Sequence, residues 1–202
     1  MKSLATLLIA LPFITLSPLV AAHADALDLT VDIGSAKQKG DHFSDSDTSV
    51  GLTLGYELTS NCSLNLSYTD FGEAQMTSGL LVNGEGEVYD LYSFIETKGL
   101  GLSAQYLTNT LWGGWAFGGR FGLMHVDSKM NYFAPDYQDG LLSTTKDSDT
   151  ALTAGLLASY SLTTQMNLIF SADYMAPDAQ TTGIGTEDIK TTRFAVGLNY
   201  HF

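Results

Sequence analysis

The sequence predicts an all-β protein, an eight-stranded antiparallel up-and-down barrel that crosses a membrane. Three observations lead to this fold class. Eight segments alternate apolar residues with small or polar ones, which is the period of a β-strand. After the first 24 residues, no run approaches the roughly 18 apolar residues that a spanning helix needs. The chain has 20 glycines, 10 tyrosines and 10 phenylalanines but 4 prolines, and this composition favours strands over helices.

Residues 1–24 are predicted to be a secretory signal peptide. Lys2 precedes a long apolar run, and Ala22-His23-Ala24 matches a small-residue cleavage pattern. We expect cleavage before Asp25 and a barrel built from residues 25–202. An uncleaved transmembrane anchor is the alternative, and two prolines within the apolar run disfavour it.

The first strand is predicted for LDLTVDIG, residues 27–34, where leucine, valine and isoleucine alternate with Asp28, Thr30 and Asp32. The other predicted strands repeat this alternation, in chain order: SVGLTLGYEL (49–58), SLNLSYTDF (63–71), GLGLSAQYL (99–107), WAFGGRFGLMH (115–125), ALTAGLLASYSL (151–162), NLIFSADY (167–174) and RFAVGLNYHF (193–202).

The two faces of these strands indicate which side meets lipid. One face carries large leucine, phenylalanine and tyrosine residues, which suit acyl chains outside a membrane barrel. The other carries glycine, serine, threonine and asparagine, which suit the crowded interior of a narrow barrel. A soluble β-sandwich would instead need polar residues at the positions where leucine and phenylalanine face outward.

The connections alternate in length. Short ones fall at residues 58–63, 107–112 and 162–167, and long stretches fall at residues 35–47, 72–93, 127–149 and 176–191. Bacterial barrels place short turns in the periplasm and long loops outside. We therefore expect a monomer in the outer membrane of a Gram-negative bacterium, with acidic extracellular loops. The formal net charge of −13 excludes nucleic acid as a partner, because phosphate binding needs a cationic surface.

Aromatic residues recur where the strands approach the short turns. They predict an aromatic girdle at the inner interface, made by Tyr56, Tyr106, Trp112, Trp115, Tyr160, Tyr200 and Phe202. A second set is expected near the outer interface: Tyr68, Phe71, Tyr92, Phe94, Tyr174 and Phe194.

Charged residues on the second faces are predicted to form a network in the lumen, made by Asp28, Asp32, Glu57, Arg120, Asp173 and Arg193. Isolated buried charges would be costly, whereas paired acids and arginines are tolerable. We expect this network to fill the interior of a barrel of this size. A small conductance for ions or solutes through the network is the alternative.

The chain resembles the OmpA/OmpX-like family of small eight-stranded outer-membrane barrels. The resemblance rests on the leader, on GYELTSNCSLNLSYTDFGEA and on the terminal FAVGLNYHF. It implies that the barrel-assembly machinery recognises a C-terminal signal, here Phe194, Val196, Leu198, Tyr200 and Phe202. No residue follows Phe202, so the peptidoglycan-binding domain of OmpA is not expected.

Some barrels of this kind modify lipid A with a histidine, a serine and an acid near the outer leaflet. His125 is the one histidine placed suitably, and HVDS, which also contains Asp127 and Ser128, lacks the spacing of the deacylase type. We therefore expect no enzyme and no cofactor. Asp41, Asp45 and Asp47 are weak candidates for a Ca²⁺ site, or for divalent-cation bridging to anionic lipopolysaccharide.

The long loops are the expected functional surface. Tyr132, Phe133 and Tyr137 lie among acids and suit contact with a protein or glycan. GLLVNGEGEVYDLYSF, residues 79–94, is predicted to extend a hairpin above the membrane, whose edge could pair with a partner strand. The expected role is structural or in surface interaction, namely envelope integrity, adhesion, or reception of phage or host factors. A small channel is the second hypothesis and a lipid A-modifying enzyme the third.

Overall fold

The computed structural model describes residues 26–40, 43–82, 85–135, 141–176, 180–182, 185–187 and 189–202. The expected signal peptide lies outside these residues. The strands are β1 (Leu27–Lys39), β2 (Ser44–Thr59), β3 (Cys62–Val82), β4 (Val88–Leu107), β5 (Trp115–Phe133), β6 (Leu141–Ser161), β7 (Met166–Ala176), β8 (Gln180–Thr182), β9 (Gly185–Glu187) and β10 (Lys190–His201). A short 3-10 helix, Trp112–Gly114, precedes β5.

Eight of the strands close into a barrel in the order β1-β10-β7-β6-β5-β4-β3-β2, and β8 and β9 form a separate hairpin. Each barrel neighbour pair is antiparallel, including β1 with β10, which joins the two ends of the chain. The predicted fold class is therefore confirmed. In the part of the chain described here, no helix has both the length and the apolar character to cross a membrane.

One end of the barrel, the turn end, carries the short connections and the C-terminus. Asn61 ties two of these connections together, since its Nδ2 donates to Leu107 O at 2.7 Å and to Asn109 Oδ1 at 2.9 Å. The backbone N–H of Phe202 donates to Leu27 O at 3.1 Å. The opposite end, the hairpin end, carries the β1–β2, β3–β4 and β5–β6 hairpins.

The outer surface near the turn end is an apolar belt. Alternate residues of every barrel strand are exposed there, and Leu156 reaches 72%. One example from each strand, in chain order, is Val31, Leu52, Leu66, Leu102, Phe121, Leu156, Phe170 and Val196. Small polar residues fill the inward positions behind the belt, among them Thr53, Asn65, Thr69, Ser103 and Ser159. This arrangement suits hydrocarbon outside and an enclosed polar lumen.

The long stretches expected to be loops are mostly strand. β3 and β4 pair from Cys62↔Tyr106 to Val82↔Val88, and β5 and β6 pair from Trp115↔Tyr160 to Phe133↔Leu141. The hairpin predicted at residues 79–94 is present, but the loop expectation for 35–47, 72–93 and 127–149 is wrong. The reason is that these segments still alternate polar and apolar residues, but their polar residues face outward, whereas in the belt the apolar residues face outward.

This reversal occurs at the upper edge of the belt. On β5, Leu123 faces outward within the belt, whereas His125 and Asp127 face outward above it and Met124 and Val126 are buried inside. Water replaces lipid outside, so the apolar residues turn inward as they do in a soluble protein.

Two apolar clusters fill the barrel above the belt. The lower apolar cluster consists of Ala36, Phe71, Met124, Val126, Ala151 and Met175. The upper apolar cluster consists of Phe43, Ala74, Met76, Ile95, Met130 and Ile189. Two expectations are corrected here. The interior is not polar throughout, and Phe71, 4% exposed, lies inside and not at the outer interface. Because side chains alternate along a strand and Tyr68 faces outward, Phe71, three residues later, is already expected on the inward face.

Strand pairing rises to unequal heights around the hairpin end. Among the described residues, the β2–β3 ladder stops at Val50↔Asp70, although β1 and β2 pair as far as Lys39↔Ser44. The β6–β7 ladder stops at Leu152↔Ala176. Within the described strands, the wall above the belt therefore has two seams, one between β2 and β3 and one between β6 and β7.

Candidate functional site

Four of the six predicted lumen charges form one row across the barrel, in the order Arg120, Asp173, Arg193 and Asp32. Arg120 lies on β5 and reaches over Gly155 of β6 to Asp173 of β7. Its Nε donates to Asp173 Oδ1 at 2.7 Å and its Nη2 donates to Oδ2 at 2.5 Å. This bidentate geometry is the strong form of an arginine–carboxylate pair.

The second ion pair joins the first and last strands. Arg193 Nη2 donates to Asp32 Oδ1, and Arg193 Nε donates to Ser49 Oγ at 2.8 Å. Arg193 is 3% exposed, so Asp32 and not bulk water compensates its charge, while Ser49 accepts one of its hydrogen bonds. Asp173 is the register partner of Arg193 on β7, so positive and negative groups alternate along the row.

Glycines make room for the lumen carboxylates. Asp32 lies between its register partners Gly51 and Gly197, and a Cβ at Gly51 would lie 2.5 Å from Asp32 Oδ1. Asp28 faces Gly55 in the same way. The matched spacings of DLTVD (28–32) and GLTLG (51–55) are a sequence signal for this contact that the sequence analysis missed.

The other two predicted lumen charges lie outside this row. Asp28 accepts a hydrogen bond from Asn199 Nδ2 at 2.9 Å. Glu57 lies at the turn end with its side chain 42% exposed, and its Oε1 is 3.7 Å from His201 Nδ1. The expectation that all six charges form one network is therefore corrected, because Asp28 and Glu57 lie closer to the turn end than either arginine reaches.

Cavities flank the ion-pair row on both sides. A cavity of about 110 Å³ lies toward the turn end, and its lining includes Asp28, Glu57 and Asn199. A cavity of about 40 Å³ lies toward the hairpin end, under Phe71 and Met124. Both touch Asp32 and Arg120. The row separates the two cavities, and the lower apolar cluster covers the smaller one.

A polar layer crosses the barrel between the two apolar clusters. Thr97 Oγ1 of β4 donates to Gln38 Oε1 of β1 at 2.8 Å. Gln38 faces Thr191 on β10, and Thr97 faces Ser128 on β5. All four residues are buried. The layer ties opposite walls of the barrel together above the belt.

The predicted girdle residues lie near the turn end. Trp115 packs its ring against Tyr160 at 5.0 Å between centroids, and Tyr200 meets Phe202 edge-on at 5.0 Å. Tyr56 and Tyr106 are exposed on the outer surface. The side chain of Trp112 lies outside the described side chains.

Two of the three weak calcium candidates bond to the backbone of β3. Asp45 Oδ2 accepts from Gln75 N at 2.8 Å, and Asp47 Oδ2 accepts from Glu73 N at 2.9 Å. These carboxylates close the β2–β3 seam by bonding to the open edge of β3. Asp41 lies outside the described residues, and within the described ones no group of histidine, cysteine and acidic side chains could hold a metal.

An ion pair lies on the outer surface just above the belt. Lys98 Nζ is 2.6 Å from Glu96 Oε1 and 3.7 Å from Asp70 Oδ2. The hydrogen bond from Lys98 lowers the pKa of Glu96, and the same bond raises the pKa of Lys98. The two groups stabilise each other's charged forms.

Of the side chains considered for catalysis and recognition, His125 faces outward as the sequence analysis expected, whereas Tyr132 is placed differently. His125 faces outward with its Nε2 3.9 Å from Asp127 Oδ1, whereas Ser128 is buried on the opposite face of β5. Tyr132 was expected in an exposed loop but lies in β5 and packs against the upper apolar cluster, with its hydroxyl donating to Met130 Sδ at 3.1 Å. Phe133 ends β5, and Tyr137 lies outside the described residues.

All six lysines beyond Lys2 occupy outward positions above the belt, a feature that the sequence analysis missed. They are Lys37 and Lys39 on β1, Lys98 on β4, Lys129 on β5, Lys146 on β6 and Lys190 on β10. Both arginines lie inside. If the alternation of inward and outward residues is continued from each strand through the stretches expected to be loops, every one of these lysines falls on an outward position and both arginines on inward ones.

The fold resembles solved outer-membrane barrels at low sequence identity. Neisserial surface protein A is 14% identical with a TM-score of 0.62, covering 87% of this chain and 97% of that one. OprG from Pseudomonas aeruginosa is 18% identical with a TM-score of 0.55, covering 88% and 97%. Ail, the attachment invasion locus protein of Yersinia pestis, is 16% identical with a TM-score of 0.51, covering 87% and 98%. These likenesses show the shared fold.

No curated protein matches the chain. A sequence model of one family, described as the outer membrane protein beta-barrel domain, matches residues 6–202. The match covers nearly the whole chain and agrees with the closed barrel and its apolar belt. The chain therefore belongs to the outer membrane protein β-barrel family.

Proposed function

We propose that this protein is a non-enzymatic, non-conducting outer-membrane barrel that acts through its extracellular hairpins, as an adhesin or receptor at the cell surface. The observation that carries the proposal is the filled interior beneath a projecting hairpin end. The turn end faces the periplasm and the hairpin end faces outside, as in other bacterial barrels. The protein acts as a monomer among outer-membrane lipids and lipopolysaccharide.

The filled interior supports a lumen that does not conduct. An ion would have to pass the row of Arg120, Asp173, Arg193 and Asp32 and then two apolar clusters. Entry into an apolar layer without compensating ligands costs a charge several kcal/mol or more. This arrangement favours the closed barrel over the channel hypothesis.

Planar-bilayer recording tests the closed lumen. The purified barrel is expected to show no steady unit conductance across a range of voltages. A matched variant that shortens large side chains in both apolar clusters, Phe71→Ala with Met124→Ala in the lower one and Ile95→Ala with Met130→Ala in the upper one, should raise conductance above that of the wild type. A large, steady conductance from the wild-type barrel would overturn the proposal.

The β3–β4 hairpin supports a surface role. Its ladder continues to Val82↔Val88, and Leu80, Val82 and Val88 are exposed, with Leu80 at 68%. Apolar side chains on a rigid hairpin that projects from the membrane suit contact with a partner. Among the structural neighbours, Ail is named an attachment invasion locus protein.

Replacing residues 80–90 with a two-residue turn tests this surface. Heat-modifiable migration in detergent gels confirms that the variant is folded. Adhesion of bacteria to host cells should fall at least tenfold, while a control that shortens residues 135–140 should retain adhesion. Unchanged adhesion of the hairpin variant would rule out this hairpin as the recognition surface.

The geometry around His125 supports a non-enzymatic role. A histidine-dependent acyl-ester reaction needs a serine or water held within hydrogen-bond reach of the imidazole. Here Ser128 faces the interior and His125 faces outward. Mass spectrometry of lipid A from cells with and without the protein should show identical acylation, and a changed acyl pattern that requires His125 would refute this part of the proposal.

A further inference from the structure

The distribution of positive charge above the belt is uneven. Around β3, β4 and β5 the lysines have acidic neighbours, since Lys98 contacts Glu96 and Asp70 and Lys129 faces Glu96 in register. On the other side of the barrel, Lys37 and Lys39 of β1 and Lys190 of β10 form a group that we term the lysine face.

Among the residues that the structure describes, the lysine face has no acid on its surface. The other outward residues that the structure describes above the belt on β1, β2 and β10 are Ser35, Ser44, Ser46, Thr48 and Thr192. The two carboxylates of β2, Asp45 and Asp47, turn to the amides of β3. In a chain with 22 acidic residues, a surface with three lysines and no outward carboxylate within its described residues needs a physical explanation.

The lysines are also placed against each other. Lys39 and Lys190 are direct register partners on neighbouring antiparallel strands, and Lys37 lies one outward position along β1. Lys129 and Lys146 are also register partners, but there Glu96 faces Lys129 from its other side. Like charges directly opposite each other destabilise a strand pair. None of the three has a carboxylate within 4.0 Å in the described part of the chain. The described part of the barrel therefore supplies no carboxylate that offsets this repulsion, whereas a bound anion would offset it.

The height of the lysine face indicates where the anion comes from. Lys37 and Lys190 each lie four residues above the last belt residue of their strand, Ile33 and Phe194. A strand tilted by about 40° rises about 2.5 Å per residue along the barrel axis. The α-carbons of Lys37 and Lys190 thus lie roughly 10 Å above the belt, and that of Lys39, six residues beyond Ile33, lies roughly 15 Å above it. The headgroup layer extends about 5–8 Å beyond the hydrocarbon core. Lysine side chains that bend toward the belt reach this layer.

We propose that the lysine face binds the phosphate groups of a phosphorylated glycolipid in the outer leaflet. Lys39 and Lys190 share one phosphate between them, and Lys37 contacts the same headgroup or its neighbour. The inference rests on the outer-membrane location in the proposed function, but it is independent of adhesion and conductance. It assigns lipid contact to lysines in place of the cation-bridged loop carboxylates considered from the sequence.

A matched pair of triple variants tests the site. The first is Lys37→Gln, Lys39→Gln, Lys190→Gln. The control is Lys98→Gln, Lys129→Gln, Lys146→Gln, which removes the same charge from the opposite side. Each barrel is folded in neutral detergent micelles and titrated with bisphosphorylated lipid A or with dephosphorylated lipid A, and bound lipid is counted by native mass spectrometry.

The wild type and the control should bind bisphosphorylated lipid A within about threefold of each other. The first variant should bind at least tenfold more weakly, because each lysine near an anionic surface contributes appreciable attraction. Dephosphorylated lipid A should bind all three barrels weakly and equally. Equal losses in the two triple variants, or binding of the wild type that does not depend on phosphate, would overturn the proposal.

Two further measurements keep the test decisive. Thermal unfolding in neutral detergent should show the first variant at least as stable as the wild type, since removing Lys39 and Lys190 removes repulsion. A sulfated sugar, sucrose octasulfate, is the competing probe. If it binds the lysine face in lipid-free micelles and phosphorylated lipid A does not, the site is for a soluble glycan and the lipid assignment is wrong. Adhesion and conductance assays test the proposed function separately.

Discussion

Replacing Asp32 with asparagine should destabilise the barrel while keeping its shape. The change removes the negative charge that faces buried Arg193, while an amide oxygen can still accept from Arg193 and the hydrogen bond to Ser49 at 2.8 Å remains. The asparagine fits the same space between Gly51 and Gly197. The effect therefore reports on charge and not on packing.

The magnitude follows from the environment of the pair. Removing one partner of a buried ion pair costs about 3–5 kcal/mol. Cavities of about 110 and 40 Å³ adjoin Asp32, and water in them would screen the remaining arginine, so we expect the lower value of about 3 kcal/mol. With a urea dependence of about 2 kcal/mol per M, the midpoint of unfolding should fall by about 1.5 M.

Urea titration of the barrel in lipid vesicles, followed by tryptophan fluorescence, measures this shift. Asp127→Asn is the matched control, because Asp127 is exposed and its only described ion pair is the 3.9 Å contact with His125. It should change stability by less than about 0.5 kcal/mol. A double-mutant cycle with Arg193→Met isolates the pair, and a coupling energy below about 1 kcal/mol would refute the reasoning.

Three other predictions use different regions of the molecule. Glu96→Gln should cost less than about 1 kcal/mol at neutral pH because the pair with Lys98 is partly exposed. Because folding lowers the pKa of Glu96, the wild type should be more stable than the variant at neutral pH, and this difference should disappear as the pH falls through the lowered pKa. Urea titrations of both proteins at several pH values measure the difference, and a difference that does not change with pH would contradict the prediction. Phe71→Ala should lower the free energy of unfolding by about 3–5 kcal/mol, because it leaves a cavity in the lower apolar cluster, and the same titration measures this loss. A loss below about 1 kcal/mol would mean that the cluster collapses around the cavity or contributes little to stability. Deleting Phe202 should reduce the heat-modifiable, folded fraction in isolated outer membranes without preventing refolding of purified protein in detergent, and normal assembly in cells would exclude it from the assembly signal.

The period-two pattern was sufficient for the fold class. Val31, Leu52 and Phe121 face outward, as their alternation with small residues predicted. The same parity placed Asp32 and Arg193 inside. The physical reason is that successive side chains of a strand point to opposite faces of the sheet. Once one residue is known to face lipid, the direction of every other side chain in that strand follows from its sequence position.

The pairing of the lumen charges could not be predicted in the same way. Asp173 has Arg193 as its register partner but accepts both hydrogen bonds of Arg120, two strands away. Which side chains meet inside a barrel depends on the stagger between strands and on gaps such as Gly155, and neither is visible in one strand. The sequence predicted the four charges of the row but not its division into two ion pairs, and it assigned Asp28 and Glu57 to the same network although they lie outside it.

The strands of the hairpin end resemble loops in the sequence because their apolar residues point inward there and not outward as they do in the belt. In β4, Leu100 and Leu102 face outward, whereas above them Lys98 faces outward and Ile95 faces inward. A search for apolar outward positions ends at this point although the strand continues. Composition alone could not separate a polar strand surface from a loop, since both place charged residues in water.

The change of sense at the upper edge of the belt also determines how deeply the protein can sit. If the barrel sank by one pleat, Lys98 and His125 would enter hydrocarbon. If it rose by one pleat, a ring of leucine and phenylalanine side chains would lose contact with lipid. Both displacements are penalised on every strand at once, so the immersion depth is set around the full circumference, and a bilayer of different thickness would have to deform to match the protein.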